Sequence, residues 1–168
     1  MFSHVNCIAQ KNVIIGHFSS GNLEGWKEKI FKNETRYQII ESNSRKILEA
    51  ESQASGSGLI RELQVDLKET PCLAWSWKVQ NVLYGLNETT KDGDDYSARV
   101  YVVFSDGPSF WNTHAINYVW SRWQPIGSAW PNAFTDRTIN VSVNSGPERV
   151  GYWIFHVCHI RKDYKCLF

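Results

Sequence analysis

A two-residue rhythm constrains this chain more than any other feature of its sequence. Apolar and polar residues alternate in short runs, as in Leu73-Ala74-Trp75-Ser76-Trp77-Lys78-Val79, and Gly, Pro, Asn and Asp break the runs apart. A strand sends successive side chains to opposite faces, whereas a helix repeats its apolar positions every three to four residues. Runs with the strand period fall at 13–18, 37–40, 47–51, 58–65, 73–79, 98–104, 116–120, 138–144 and 151–157, and only 161–167 has a helical look. Many short strands with turn signals between them predict an all-β sandwich or barrel. No Gly/Ser linker or internal repeat divides the chain, so a single domain is expected.

Composition narrows the function classes. At 168 residues the chain is long enough to bury one core without staples. A formal charge of +1 and the lack of a basic run speak against nucleic acid as a partner. No stretch approaches the roughly 20 apolar residues of a membrane span. Residues 1–12 read either as the remnant of an export signal or as a disordered N-terminus, leaving 13–168 for the β domain. The eight tryptophans suit a bulky β core and equally a surface on which ligands stack.

Cys7, Cys72, Cys158 and Cys166 contain no CxxC pair, which argues against a zinc ribbon. They read as free, mostly buried thiols, with a disulfide from Cys158 to Cys72 or Cys166 as the alternative. His156, Cys158 and His159 suggest a metal cluster at first sight, but alternation puts His159 opposite the other two. No P-loop, GxSxG or HExxH motif occurs, so no metal and no cofactor is expected.

The alternation also assigns faces. Leu73, Trp75, Trp77 and Val79 share one face of their run, and Val100, Val102 and Phe104 share one face of theirs; these make the expected core. The other faces carry Lys78, Arg99, Tyr101 and Asn117, the composition of a ligand platform or of a sheet facing solvent. Ahead of Arg99 stands Lys91-Asp92-Gly93-Asp94-Asp95, whose carboxylates allow three readings: a metal loop, a solvated turn, or an ion pair of Arg99 with Asp94 or Asp95. The loop lacks EF-hand spacing, and an arginine among apolar neighbours needs a carboxylate if it is covered.

Several stretches together resemble a known family. "FSSGNLEGW", "GLIRELQVDLKETPCLAWSWKV", "KDGDDYSARVYVVF", "AINYVWS" and "GSAWPNAFTDR" are similar, in order, to the bacterial family DUF3047, over about residues 17–165. The resemblance implies an antiparallel two-sheet β-sandwich of jelly-roll type, usually exported, hence periplasmic or secreted, and it supplies no catalytic mechanism. Family members continue beyond the point at which this chain reads "GYWIFHVCHIRKDYKCLF", so one or more closing strands are expected to be missing here.

Carbohydrate is the partner class that fits this surface best, because planar stacking and bidentate hydrogen bonds are what sugar recognition needs. The expected contact residues are Lys78, Arg99, Tyr101, His114 and Asn117, with Trp111 and Trp130 forming a rim on loops at 109–114 and 129–134. A lyase acting on uronic-acid polysaccharides would use Arg99, Tyr101, His114, Asn117 and Tyr118, but the R-x-E-x-R and Q-x-H strands of alginate lyases are absent. A structural module for cell-envelope partners is the third reading.

Overall fold

The computed structural model describes residues 12–85, 87–105 and 113–168, which fall into two compact units divided between Thr70 and Pro71. The fold is mostly β, with one short α-helix.

The first unit holds β1 (Lys27–Lys32), β2 (Arg36–Ser42), β3 (Arg45–Glu51) and β4 (Gly56–Ile60). β1 pairs with β4 and β2 with β3, each as an antiparallel two-stranded sheet. Asn43 and Ser44 make the β2–β3 turn with φ of 51° and 60°, the left-handed pair that a tight two-residue hairpin requires. β1 escaped the alternation pattern because all six residues of KEKIFK are exposed. Conversely, 13–18 forms no strand. Its apolar residues Val13 and Ile14 are exposed, and the chain turns back at Phe18–Ser20 through Gly21, whose φ of 81° is left-handed.

The second unit contains β5 (Leu73–Trp77), β6 (Arg99–Phe104), β7 (His114–Ser121), β8 (Ala129–Asn132), β9 (Thr135–Ser145), β10 (Ile154–Cys158) and α1 (Ile160–Leu167). β6-β7-β9-β8 form a four-stranded sheet, and β5 and β10 form a separate antiparallel ribbon. Purely antiparallel pairing does not hold, because β7 and β9 run parallel. The β8–β9 hairpin inserts its second strand beside β7, leaving β8 at the sheet edge. Residues 129–132 therefore belong to a strand and not to the expected loop, and Pro131 is tolerated there because an edge strand can spare a donor.

The core lies between the ribbon and one face of the sheet, here called the inner face. Ile116, Tyr118, Trp120 and Val141 of the sheet are fully or almost fully buried. Trp75 of the ribbon packs on Tyr118 at 5.5 Å between ring centroids, and Trp77 packs on Trp120 at 6.1 Å. Trp77 Nε1 donates to Asn144 Oδ1 at 2.7 Å, so the indole is buried without stranding its N–H. Val100, Val102 and Phe104 are partly covered on the same face, while Tyr101 and Val103 are exposed on the other. Away from the core, the ribbon's second face exposes Trp153, Phe155 and Val157, with the Lys78 ammonium 5.6 Å from the Trp153 ring centre.

Cys158 and Cys166 are free thiols and Cys72 is disulfide-bonded, so neither disulfide expected of Cys158 exists. Register explains part of this: Cys158 lies opposite Leu73 at the end of the ribbon, and Cys166 is on the exposed side of α1. No helix among the described residues is long and apolar enough to cross a membrane.

Candidate functional site

The outer face of the four-stranded sheet carries an unusual row. Tyr101 of β6 lies opposite Asn117 of β7, Asn117 opposite Asn140 of β9, and Asn140 opposite Trp130 of β8. Side chains in register on one face are neighbours, and Asn117 Nδ2 donates to Asn140 Oδ1 at 2.8 Å. Two amides fully buried on the face opposite the core need a cover, and the segment from Asn87 to Ser97 supplies it. Tyr96 accepts a hydrogen bond from Asn140 Nδ2 at 3.3 Å and donates to the Glu88 carbonyl at 3.1 Å. The buried Glu88 carboxylate accepts from Ser121 Oγ and from the Arg122 backbone N–H, both at 2.5 Å.

The aspartates of this segment have divergent fates. A 3-10 turn at Lys91–Gly93 folds the segment tightly on itself, and a Cβ at Gly93 would collide with the Asn87 carbonyl. Asp92 is exposed, whereas the Asp94 side chain is only 6% exposed. Asp94 Oδ2 accepts from Asn132 Nδ2 at 3.0 Å and lies 3.6 Å from Arg99 Nη1. The Asp94 backbone carbonyl accepts from Arg99 Nη2 at 2.9 Å, and Asp95 Oδ1 stands 3.7 Å from the same nitrogen. The guanidinium also lies over the Tyr96 ring at 4.9 Å and reaches the Tyr101 hydroxyl at 3.4 Å. Arg99 is thus fixed in direction and 28% exposed, with the half-exposed Tyr101 beside it. No group of three metal-ligating side chains occurs among the described residues.

Asp94 Oδ1, Asn117 Oδ1 and the Ser97 hydroxyl of the covering segment are buried with no hydrogen-bond partner. The Trp130 indole N–H makes no full hydrogen bond either, but it is close enough to the Tyr96 hydroxyl to act on it. Burial next to Asp94 and Glu88 pushes that hydroxyl far above the ordinary phenol range, so Tyr96 stays neutral.

The residues expected to form one platform separate in space. Arg99, Tyr101, Asn117 and Trp130 share the outer face, but Asn117 is fully buried and Trp130 is half-buried 6.4 Å from Tyr96, so neither is an exposed rim. Lys78 points outward from the ribbon, on the far side of the core. His114 faces inward to α1, where its Nδ1 is 3.1 Å from the Tyr164 hydroxyl and its ring stacks on Phe168. Parity along a strand tells which residues share a side; it does not tell which way that side turns. Trp111 lies outside the described residues. Asn140, Tyr96 and Asn132 were missed, although Thr138, Asn140, Ser142 and Asn144 repeat a polar parity along β9 that signalled a second polar strand.

The inner face offers a different chemistry. His156 packs between Trp75 and Trp77, and its Nε2 meets Asn144 Oδ1 at 2.7 Å. Burial pushes the Cys158 thiol up to about 12, reinforced by the nearby Asp163 charge. This keeps the Cys158 thiol protonated and poorly nucleophilic. Asp163 is raised by burial and accepts the Tyr118 hydroxyl at 2.6 Å, pinning α1 to the sheet. His159 caps the start of α1, its Nδ1 accepting from Lys162 N–H.

These shifts predict a pH response. Burial lowers His156 below its ordinary 6.5, so its contribution to stability is full above that value and is lost as pH falls through the folded-state value. Asp163 acts oppositely, since a raised carboxyl favours the folded state as pH falls. His156→Gln keeps a donor for Asn144 and cannot titrate. The variant is therefore expected to lose less melting temperature than the parent between pH 7.5 and 5.5, and equal losses would contradict this.

One hollow lies in the first unit, about 490 Å³ and lined by His17, Ser20, Asn22, Glu24, Gly25 and Arg61. It has no aromatic wall, and Arg61 Nη1 is engaged by the Ile15 carbonyl at 2.5 Å. Ligand sites are usually lined by apolar and aromatic groups, so this is the weaker candidate.

Among known proteins, the model of a family described as a protein of unknown function, DUF3047, matches residues 24–168. No curated protein and no solved structure matches the chain.

Proposed function

We propose that this chain, which belongs to the DUF3047 family, is an exported carbohydrate-binding protein whose ligand rests on the Arg99–Tyr101 end of the outer sheet face. The observation that carries this reading is the combination found there: an arginine locked in direction by Asp94 and Asp95, an exposed aromatic ring beside it, and a buried amide row behind. Sugar rings offer an apolar face for stacking on Tyr101 and flanking hydroxyls for a preorganised guanidinium and carboxylate. Holding those groups in place before binding removes part of the ordering cost that association otherwise carries.

A jelly-roll-type sandwich is the architecture proposed for the second unit. Its support is the two-layer packing of the β5–β10 ribbon on the four-stranded sheet. Export rests on sequence resemblance. A polysaccharide lyase is the second reading; of its candidate proton carriers, Tyr101 lies beside Arg99 whereas His114 lies on the inner face.

The test is binding of oligosaccharides by isothermal titration, with Tyr101→Ala as the discriminating variant. Tyr101 is 46% exposed, so its truncation should leave the melting temperature nearly unchanged. Affinity is expected to fall about tenfold, the equivalent of roughly 1.4 kcal/mol. Unchanged affinity for a glycan that binds the parent would remove this face as the site.

A further inference from the structure

We infer that the glycan recognised by this face is neutral and engages it chiefly as a hydrogen-bond donor, so that a uronate-bearing polymer is disfavoured. This rests on the carbohydrate reading above and goes beyond it by naming the ligand's charge class. Two independent observations carry it.

The first is charge. An arginine on a β face suggests a carboxylate ligand, but Arg99 is already flanked by the nearly buried Asp94 and by Asp95, 3.6 and 3.7 Å away. Over residues 87–99, which hold the covering segment and Arg99 itself, Glu88, Asp92, Asp94 and Asp95 stand against Lys91 and Arg99. Lys91 is turned to Phe134, with its ammonium 5.9 Å from that ring's centre. An approaching uronate therefore meets net negative charge, and its carboxylate has to compete with two protein carboxylates for one guanidinium.

The second is hydrogen-bond polarity. Asp94, paired with the arginine through Oδ2, keeps Oδ1 as an unpartnered acceptor on a side chain 6% exposed, while the unpartnered Asn117 Oδ1, Ser97 Oγ and Trp130 N–H are covered. Asp95, at 62% side-chain exposure, adds an accessible carboxylate whose one hydrogen bond among the described residues is from the Tyr96 N–H. An exposed carboxylate beside the arginine suits a molecule bringing O–H donors. An ionised carboxylate brings none. Specificity arises here as much from repulsion of the acidic ligand as from attraction of the neutral one.

The test titrates the full chain with neutral gluco-, manno- and galacto-oligosaccharides and, in parallel, with oligogalacturonate and oligoguluronate, at low and at physiological salt. The expected result is a neutral oligosaccharide bound at least tenfold more tightly than either uronate, with a gap that narrows as salt rises. Asp95→Asn should narrow the same gap several-fold at low salt by removing one repelling charge and one acceptor. Uronate binding that equals or exceeds neutral binding would overturn the inference while leaving the carbohydrate reading intact. An absence of binding by every oligosaccharide would overturn both.

Discussion

Replacing Trp120 with alanine is expected to cost the second unit about 4 kcal/mol, as large aromatic-to-alanine changes in packed cores do. The ring has no solvent exposure and meets Trp77 at 6.1 Å, inside a cluster that includes Val79, Val100, Val143 and Ile154. Its Nε1 also donates to the Gly146 carbonyl at 3.1 Å, so truncation opens a cavity and removes a donor at once. Small domains are stable by only about 5–15 kcal/mol, so this variant should sit near the folding threshold. Urea unfolding monitored by near-ultraviolet dichroism measures it, with Trp153→Ala as the control. Trp153 is half-exposed on the ribbon's outer side, and its loss should shift the midpoint little. Equal effects of the two variants would mean that the ribbon does not pack as described.

Arg99→Met should be the second most costly change, at about 3 kcal/mol, because it leaves the Asp94 carboxylate covered without its cation. Asp94 would retain the Asn132 amide on Oδ2 and nothing on Oδ1. The pair with Asp95 contributes little to this figure, since that carboxylate is mostly exposed and screened by water. A double-mutant cycle isolates the effect. Asp94→Asn in the Arg99→Met background removes the stranded charge and should recover most of the loss. If the double variant is no more stable than Arg99→Met alone, the cost arises from lost packing of the arginine over Tyr96 and not from the carboxylate.

What the sequence made legible was local. The inner faces of β5 and β6 follow from alternation within a few residues, and Arg99 meets a carboxylate only five positions back. The asparagine row was hidden for the opposite reason. It exists only because β9 lies beside β7 in parallel register, a pairing between positions 23 residues apart that no local pattern encodes. The same gap explains why Lys78 and His114 were grouped with Arg99. Each has a definite side of its own strand, but whether that side meets core, helix or solvent depends on how ribbon, sheet and α1 stack. β1 and Trp130 illustrate a further limit, because an exposed edge strand and a four-residue strand containing proline carry no alternation to read.

The most direct test of the binding face is an amide chemical-shift titration of the isotopically labelled chain with the tightest-binding neutral oligosaccharide. Saturable shifts are expected to centre on Asp95, Tyr96, Arg99, Tyr101 and Asn117, with no comparable shifts at the exposed Trp153–Val157 stripe or at His17 and Arg61. Saturable shifts confined to either of those regions, with the Arg99–Tyr101 signals unmoved, would place the ligand elsewhere and rule this face out.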